Sequence, residues 1–133
     1  MKYLLAVLIL LAAAGPALTQ RAPVASPTDP ELEKMANHNL EIADFYFSKK
    51  KAYSGARDRL LEVATTYPEY TKIDRVYFLL AEIYAKTGDP AKAREYFQLL
   101  LDERPHSELA ERARRRLAEL PPVVAAPAAQ PSN

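Results

Sequence analysis

Tyr77-Phe78-Leu79-Leu80-Ala81-Glu82-Ile83-Tyr84, then Ala93-Arg94-Glu95-Tyr96-Phe97, then Pro105, is the stretch that decides the fold. Its apolar positions recur at three- and four-residue intervals, the period of a helix with one buried face. Gly88 follows the first segment, and Asp89-Pro90 opens the second. Glycine closes helices, aspartate caps them, and proline fits their first turn. Two helices joined by a tight turn are therefore expected, the second ending at Arg104-Pro105. Ala81 and Ala93 let the pair approach closely.

Shifting the chain by 37 residues places this pattern on its neighbours. Leu40 falls on Tyr77, Ala43 on Leu80, Phe47 on Tyr84, Ala56 on Ala93, Leu60 on Phe97, Val63 on Leu100 and Pro68 on Pro105. The next shift brings Ile73 onto Ala110, Val76 onto Ala113, Leu80 onto Leu117 and Ala81 onto Ala118, until Pro121-Pro122 stops the copy halfway. Self-similarity at such a period signals stacked helix pairs. The reading is an all-α stack of two and a half repeats. Its five helices are expected at about 29–49, 53–66, 71–86, 90–103 and 108–119. Thr28-Asp29-Pro30-Glu31 opens the first as a capping box, Lys49-Lys50-Lys51 ends it, and Ser107 caps the fifth.

Composition sets the rest of the chain apart. Met1-Lys2 precedes the twelve-residue apolar run Tyr3–Ala14, then Gly15-Pro16-Ala17. Twelve helical residues rise about 18 Å against a hydrocarbon core of about 30 Å, which suits a signal peptide better than a span. Residues 1–17 are read as that leader, with cleavage after Ala14, Ala17 or Thr19 all open. Residues 18–28 read as a flexible linker and 121–133, with four prolines and no charge, as a Pro/Ala-rich disordered tail. The repeat domain is 29–120.

Other chemistry finds little support. The 133 residues carry 18 Lys+Arg and 17 Asp+Glu, a net charge of +1, without the basic excess of a nucleic-acid binder. Three glycines and no cysteine leave no phosphate-cradling loop, disulfide or thiolate site. His38 and His106 are 68 residues apart, Ser48, Ser54 and Ser107 lack a nucleophile elbow, and the carboxylate pairs Glu31-Glu33 and Asp102-Glu103 suit solvated helix faces. No catalytic residue, metal site or cofactor is expected, and the protein is read as no enzyme.

The second repeat, Tyr77-x-x-Leu80-Ala81-x-x-Tyr84, Ala93-x-x-x-Phe97, Pro105, resembles the tetratricopeptide pattern. In the first repeat Asp44 stands where glycine or alanine is usual, with Ala43 beside it as the contact. The period, the leader and the phrase Phe45-Tyr46-Phe47-Ser48-Lys49-Lys50-Lys51-Ala52-Tyr53 are similar to BamD-like outer-membrane-assembly proteins and YbgF-like Tol–Pal-associated proteins. This resemblance implies a periplasmic module or scaffold in envelope assembly, binding a protein or peptide partner. Peripheral outer-membrane association stays open, as does the alternative of a self-associating, dimeric structural protein.

Off-core positions of the first helix in each repeat would line a concave groove: His38, Glu41, Phe45, Arg75, Phe78, Glu82, Lys86, Arg112 and Arg115. Arg75 and Arg112 stand 37 residues apart, at the same position of successive repeats, with Phe78 one turn from Arg75. Two guanidiniums beside an aromatic suit a carboxylate-bearing peptide. Phe45 and Phe78 either anchor that partner or pack against neighbouring helices. The arginine cluster of the last helix either faces solvent or meets an anionic partner.

Overall fold

A computed structural model describes residues 29–123; the leader, the linker and most of the tail lie outside the described residues. Among those residues the chain is all helix: α1 (Pro30–Phe45), α2 (Tyr53–Thr66), α3 (Ile73–Lys86), α4 (Pro90–Glu103) and α5 (Ala110–Glu119). α1 pairs with α2 and α3 with α4, α3 packs back onto α2, and α5 covers α4 as half of a third pair. The stack is two and a half helix pairs, as expected.

The local causes are visible. Asp29, rather than Thr28, caps α1, its carboxylate accepting from the Glu31 amide at 2.9 Å. Asp89 caps α4 by accepting from the Lys92 amide at 3.0 Å. Gly88 sits at φ 85°, and the Asp89 amide donates to the Tyr84 carbonyl at 2.8 Å, closing α3 with the turn that glycine makes cheap.

The two inter-repeat turns are copies of each other. Tyr70 donates its amide to the Tyr67 carbonyl, and Ile73 to Tyr70; 37 residues on, Ser107 donates to Arg104 and Ala110 to Ser107, all at 2.9–3.1 Å. Those turns consume residues expected in helices, so α3 starts at Ile73 instead of Thr71 and α5 at Ala110 instead of Glu108. Matching side-chain bonds cross the two seams. The Tyr70 hydroxyl donates to Asn37 at 2.7 Å, and Ser107 donates to Asp74, again 37 residues on in both partners. Ser107 Oγ also accepts from the Leu109 amide at 3.0 Å.

One local feature departs from expectation. α1 does not run unbroken to Lys49 but ends in a single π-helical turn, Tyr46–Lys50, closed by Lys51 in the left-handed region at φ 55°. A glycine there would have announced the stop; lysine conceals it.

The core runs through every pair. Ala36, Leu40, Ala43, Ala56, Leu60, Val63, Ile73, Val76, Leu80, Ala81, Ile83, Ala93, Phe97, Leu100 and Ala113 are buried. α3 lies at the centre, with eight of its fourteen residues buried. That position matters for the groove.

Candidate functional site

A cavity of about 250 Å³ opens between α1 with its π turn, α3 and α5, lined by Asp44, Phe47, Ser48, Arg75, Phe78, Leu79, Glu82, Leu109 and Arg112. Small-molecule and cofactor pockets run to about 300–1,000 Å³. This one suits a side chain of a larger partner.

Four of the nine expected groove residues meet here: Arg75, Phe78, Glu82 and Arg112. His38, Glu41 and Phe45 line a separate shallow depression along α1, with Ile42 and Tyr46. Lys86, the last residue of α3, and Arg115 on α5 are exposed and do not line the cavity.

Phe78 settles differently from Phe45. Phe45 is 48% exposed, whereas Phe78 is only 4% exposed, its ring meeting that of Phe97 edge-on at 5.4 Å. The reason is the central place of α3: α4 covers one flank and α5 closes over another, so a position off the main stripe is still enclosed. Phe78 is thus core and cavity floor at once.

The charges sort themselves. Arg75 donates to the Asp44 carboxylate across the repeat seam. Glu82, its side chain 14% exposed, accepts from Arg116 Nε at 2.5 Å and Nη2 at 3.3 Å. The hydrogen bonds Arg116 donates to Glu82 and then to Glu119 raise its pKa and hold it charged. Arg112 has no carboxylate within reach, because the residue equivalent to Asp44 one repeat on is Ala81. Its guanidinium carbon instead lies 4.7 Å from the centroid of the Phe78 ring. Among the described residues Arg112 makes no ion pair, which leaves it the one uncompensated charge on the cavity wall. A cation over an aromatic face is held in place while keeping its N–H groups for a ligand.

Asp44, Phe47, Ser48, Leu79 and Leu109 complete the wall and were not among the expected groove residues. Asp44 carried a signal, a charge where a small residue belongs. Phe47 and Ser48 carried none, since the π turn places them. The Phe47 ring packs on Tyr53 at 5.8 Å, and Ser48 Oγ donates to the Asp44 carbonyl at 2.7 Å.

The chain carries a tetratricopeptide repeat: the family model of that description matches residues 74–107, from the foot of α3 through α4 to the next turn. Repeats of this kind generally mediate protein–protein interaction and are typically not enzymes. No curated protein and no solved structure matches the chain. Among the described residues no helix is long and apolar enough to cross a membrane.

Proposed function

We propose that this protein is an exported, periplasmic binding module of the cell envelope, which holds an acidic segment of a partner protein in the groove between α1, α3 and α5. One observation carries the reading: Arg112, unpaired among the described residues, stands over Phe78 at the rim of a cavity sized for a single side chain. A carboxylate of the partner pairs with Arg112, and the apolar wall of Phe47, Leu79 and Leu109 takes the neighbouring side chain. The Arg75–Asp44 pair is the site's second adjustable element, since an incoming carboxylate competes with Asp44 for the guanidinium.

The compartment is argued from the leader-like Met1–Ala17, and the assembly role from the likeness of the 37-residue repeats to BamD-like and YbgF-like envelope proteins.

Calorimetric titration with short peptides that place Asp or Glu beside an apolar residue tests the site. Arg112→Glu should weaken binding by about thirtyfold, the order expected for losing a central anchor. Peptides with Lys in place of the acid should not bind. Equal binding of both peptide sets, or an Arg112→Glu variant that binds like the parent, refutes the groove.

A further inference from the structure

The turn that ends α1 carries a surface the groove does not use. Tyr46 packs inward over α2, where a β-carbon added at Gly55 would lie 3.4 Å from its ring. Its neighbour Phe45 points outward instead, 48% exposed, the two ring centroids 6.2 Å apart. Lys49, Lys50 and Lys51 follow, all exposed. Among the described residues none of the three pairs with a carboxylate. The Lys50 ammonium lies 5.6 Å from the centroid of the Phe45 ring. Half-buried Ile42 and exposed Met35 continue this side along α1.

We propose that this end of the stack docks on the surface of an anionic phospholipid bilayer, with Phe45 entering the headgroup region and Lys49, Lys50 and Lys51 meeting lipid phosphates. Lysines beside an exposed aromatic combine the two attractions such a surface offers, charge and apolar insertion. Three observations select a lipid surface over a protein.

The charge is a property of one end. Consecutive helices joined by short turns run antiparallel, so the α1–α2 and α3–α4 turns share one end of the stack. The start of α1 lies at the other end, with the two inter-repeat turns. Lys86 closes α3 at the lysine end. The far end is acidic on balance, through Asp29, Glu31, Glu33, Asp102, Glu103 and Glu108. A negative surface attracts the first end and repels the second, which orients the molecule.

The second observation is shape. Phe45 borders only the shallow depression it shares with His38, Glu41, Ile42 and Tyr46, which encloses no partner side chain. Glu41 is the one carboxylate there, and nearby Asp44 is engaged by Arg75, so the charge beside Phe45 stays positive. The third is the kind of cation. Lysine is a point charge on a flexible stem, and three in succession splay around the turn with no side chain holding them in a fork. A fluid array of phosphates meets such charges wherever they fall. A phosphate that draws the Lys50 ammonium aside frees the Phe45 ring for the interface, while the lysine stem lies along the apolar boundary. Neither Phe45 nor the three lysines line the acidic-peptide groove.

The chain has no tryptophan, so Phe45→Trp supplies a single fluorescent reporter. Its emission should move to the blue with phosphatidylglycerol-rich vesicles and stay in place with pure phosphatidylcholine vesicles. Glu108→Trp, at the acidic end, should move with neither. Each lysine near an anionic surface contributes about fivefold, so Lys49→Gln, Lys50→Gln and Lys51→Gln together should weaken co-sedimentation of the full chain with anionic vesicles about a hundredfold. The helical circular dichroism should be unchanged in that variant. The apolar run Tyr3–Ala14 is common to parent and variant, so its own partitioning does not enter the ratio. Arg112→Glu, which disables the groove, should leave the Phe45→Trp shift in place, so the two proposals fail separately. Equal shifts with both kinds of vesicle, or a triple variant that binds like the parent, would overturn the proposal. A shift with soluble poly-glutamate as large as that with vesicles would overturn it too, by giving this end to an acidic protein.

Discussion

Replacing Ala93 by leucine probes the packing of the second helix pair. α4 packs on α3, and Ala93 on α4 and Ala81 on α3 are both fully buried. The site has no room for three more carbons. Packing them in would push α4 off α3 or force the leucine from its preferred rotamer, at a cost of about 1–3 kcal/mol. For a folded unit of this size each kcal/mol shifts the melting temperature by about 4–8 °C, so a fall of about 4–24 °C is expected. Ala91→Leu is the control, since Ala91 is exposed on the same helix and the same substitution there adds no buried volume. Thermal melts followed at the helical circular dichroism signal measure both. Ala93→Leu melting with the parent, or both variants falling alike, would refute the helix-pair register.

Three further outcomes follow from local geometry. Lys51→Gly should stabilise the fold by about 0.5–1 kcal/mol, because lysine at φ 55° carries a steric cost that glycine lacks; chemical denaturation would show it. Burial pushes the phenols of Tyr70 and Tyr77 from 10.0 to about 12, helped in Tyr77 by its hydrogen bond to Glu103. The fold therefore holds those protons more tightly than the unfolded chain, so stability is whole below pH 10 and is lost as pH climbs from 10 toward 12. Phe substitution at both tyrosines should flatten that alkaline slope in a melting series. Asp44→Asn should cost under about 1 kcal/mol, as its ion pair with Arg75 is partly exposed, yet tighten acidic-peptide binding several-fold by freeing that guanidinium.

The stack was legible in the sequence because each repeat repeats its punctuation as well as its apolar face. Tyr67-Pro68 and Arg104-Pro105, Gly88 and Asp89-Pro90 mark boundaries that hold to within two residues wherever proline or glycine speaks. The π turn was not legible: it arises from how Tyr46 and Phe47 settle against α2, and Lys51 stands where a glycine would have flagged the left-handed residue. Helical spacing could place Arg75, Phe78, Glu82 and Arg112 along one surface. It could not see that α5 closes over Phe78, nor that Asp44 and Arg116 would claim two of the charges while leaving Arg112 unclaimed. Periodicity within a helix reports which face is buried. It does not report what the next repeat brings to the other faces.

Site-specific photocross-linking in living cells tests the groove most directly. A photoreactive residue at Ser48, on the cavity wall, is compared with one at Glu62 on the exposed outer side of α2. The account predicts a discrete adduct with an envelope protein from Ser48, lost when Arg112→Glu is added, and none from Glu62. An adduct that forms equally from Glu62, or one from Ser48 that persists in the Arg112→Glu background, would contradict it.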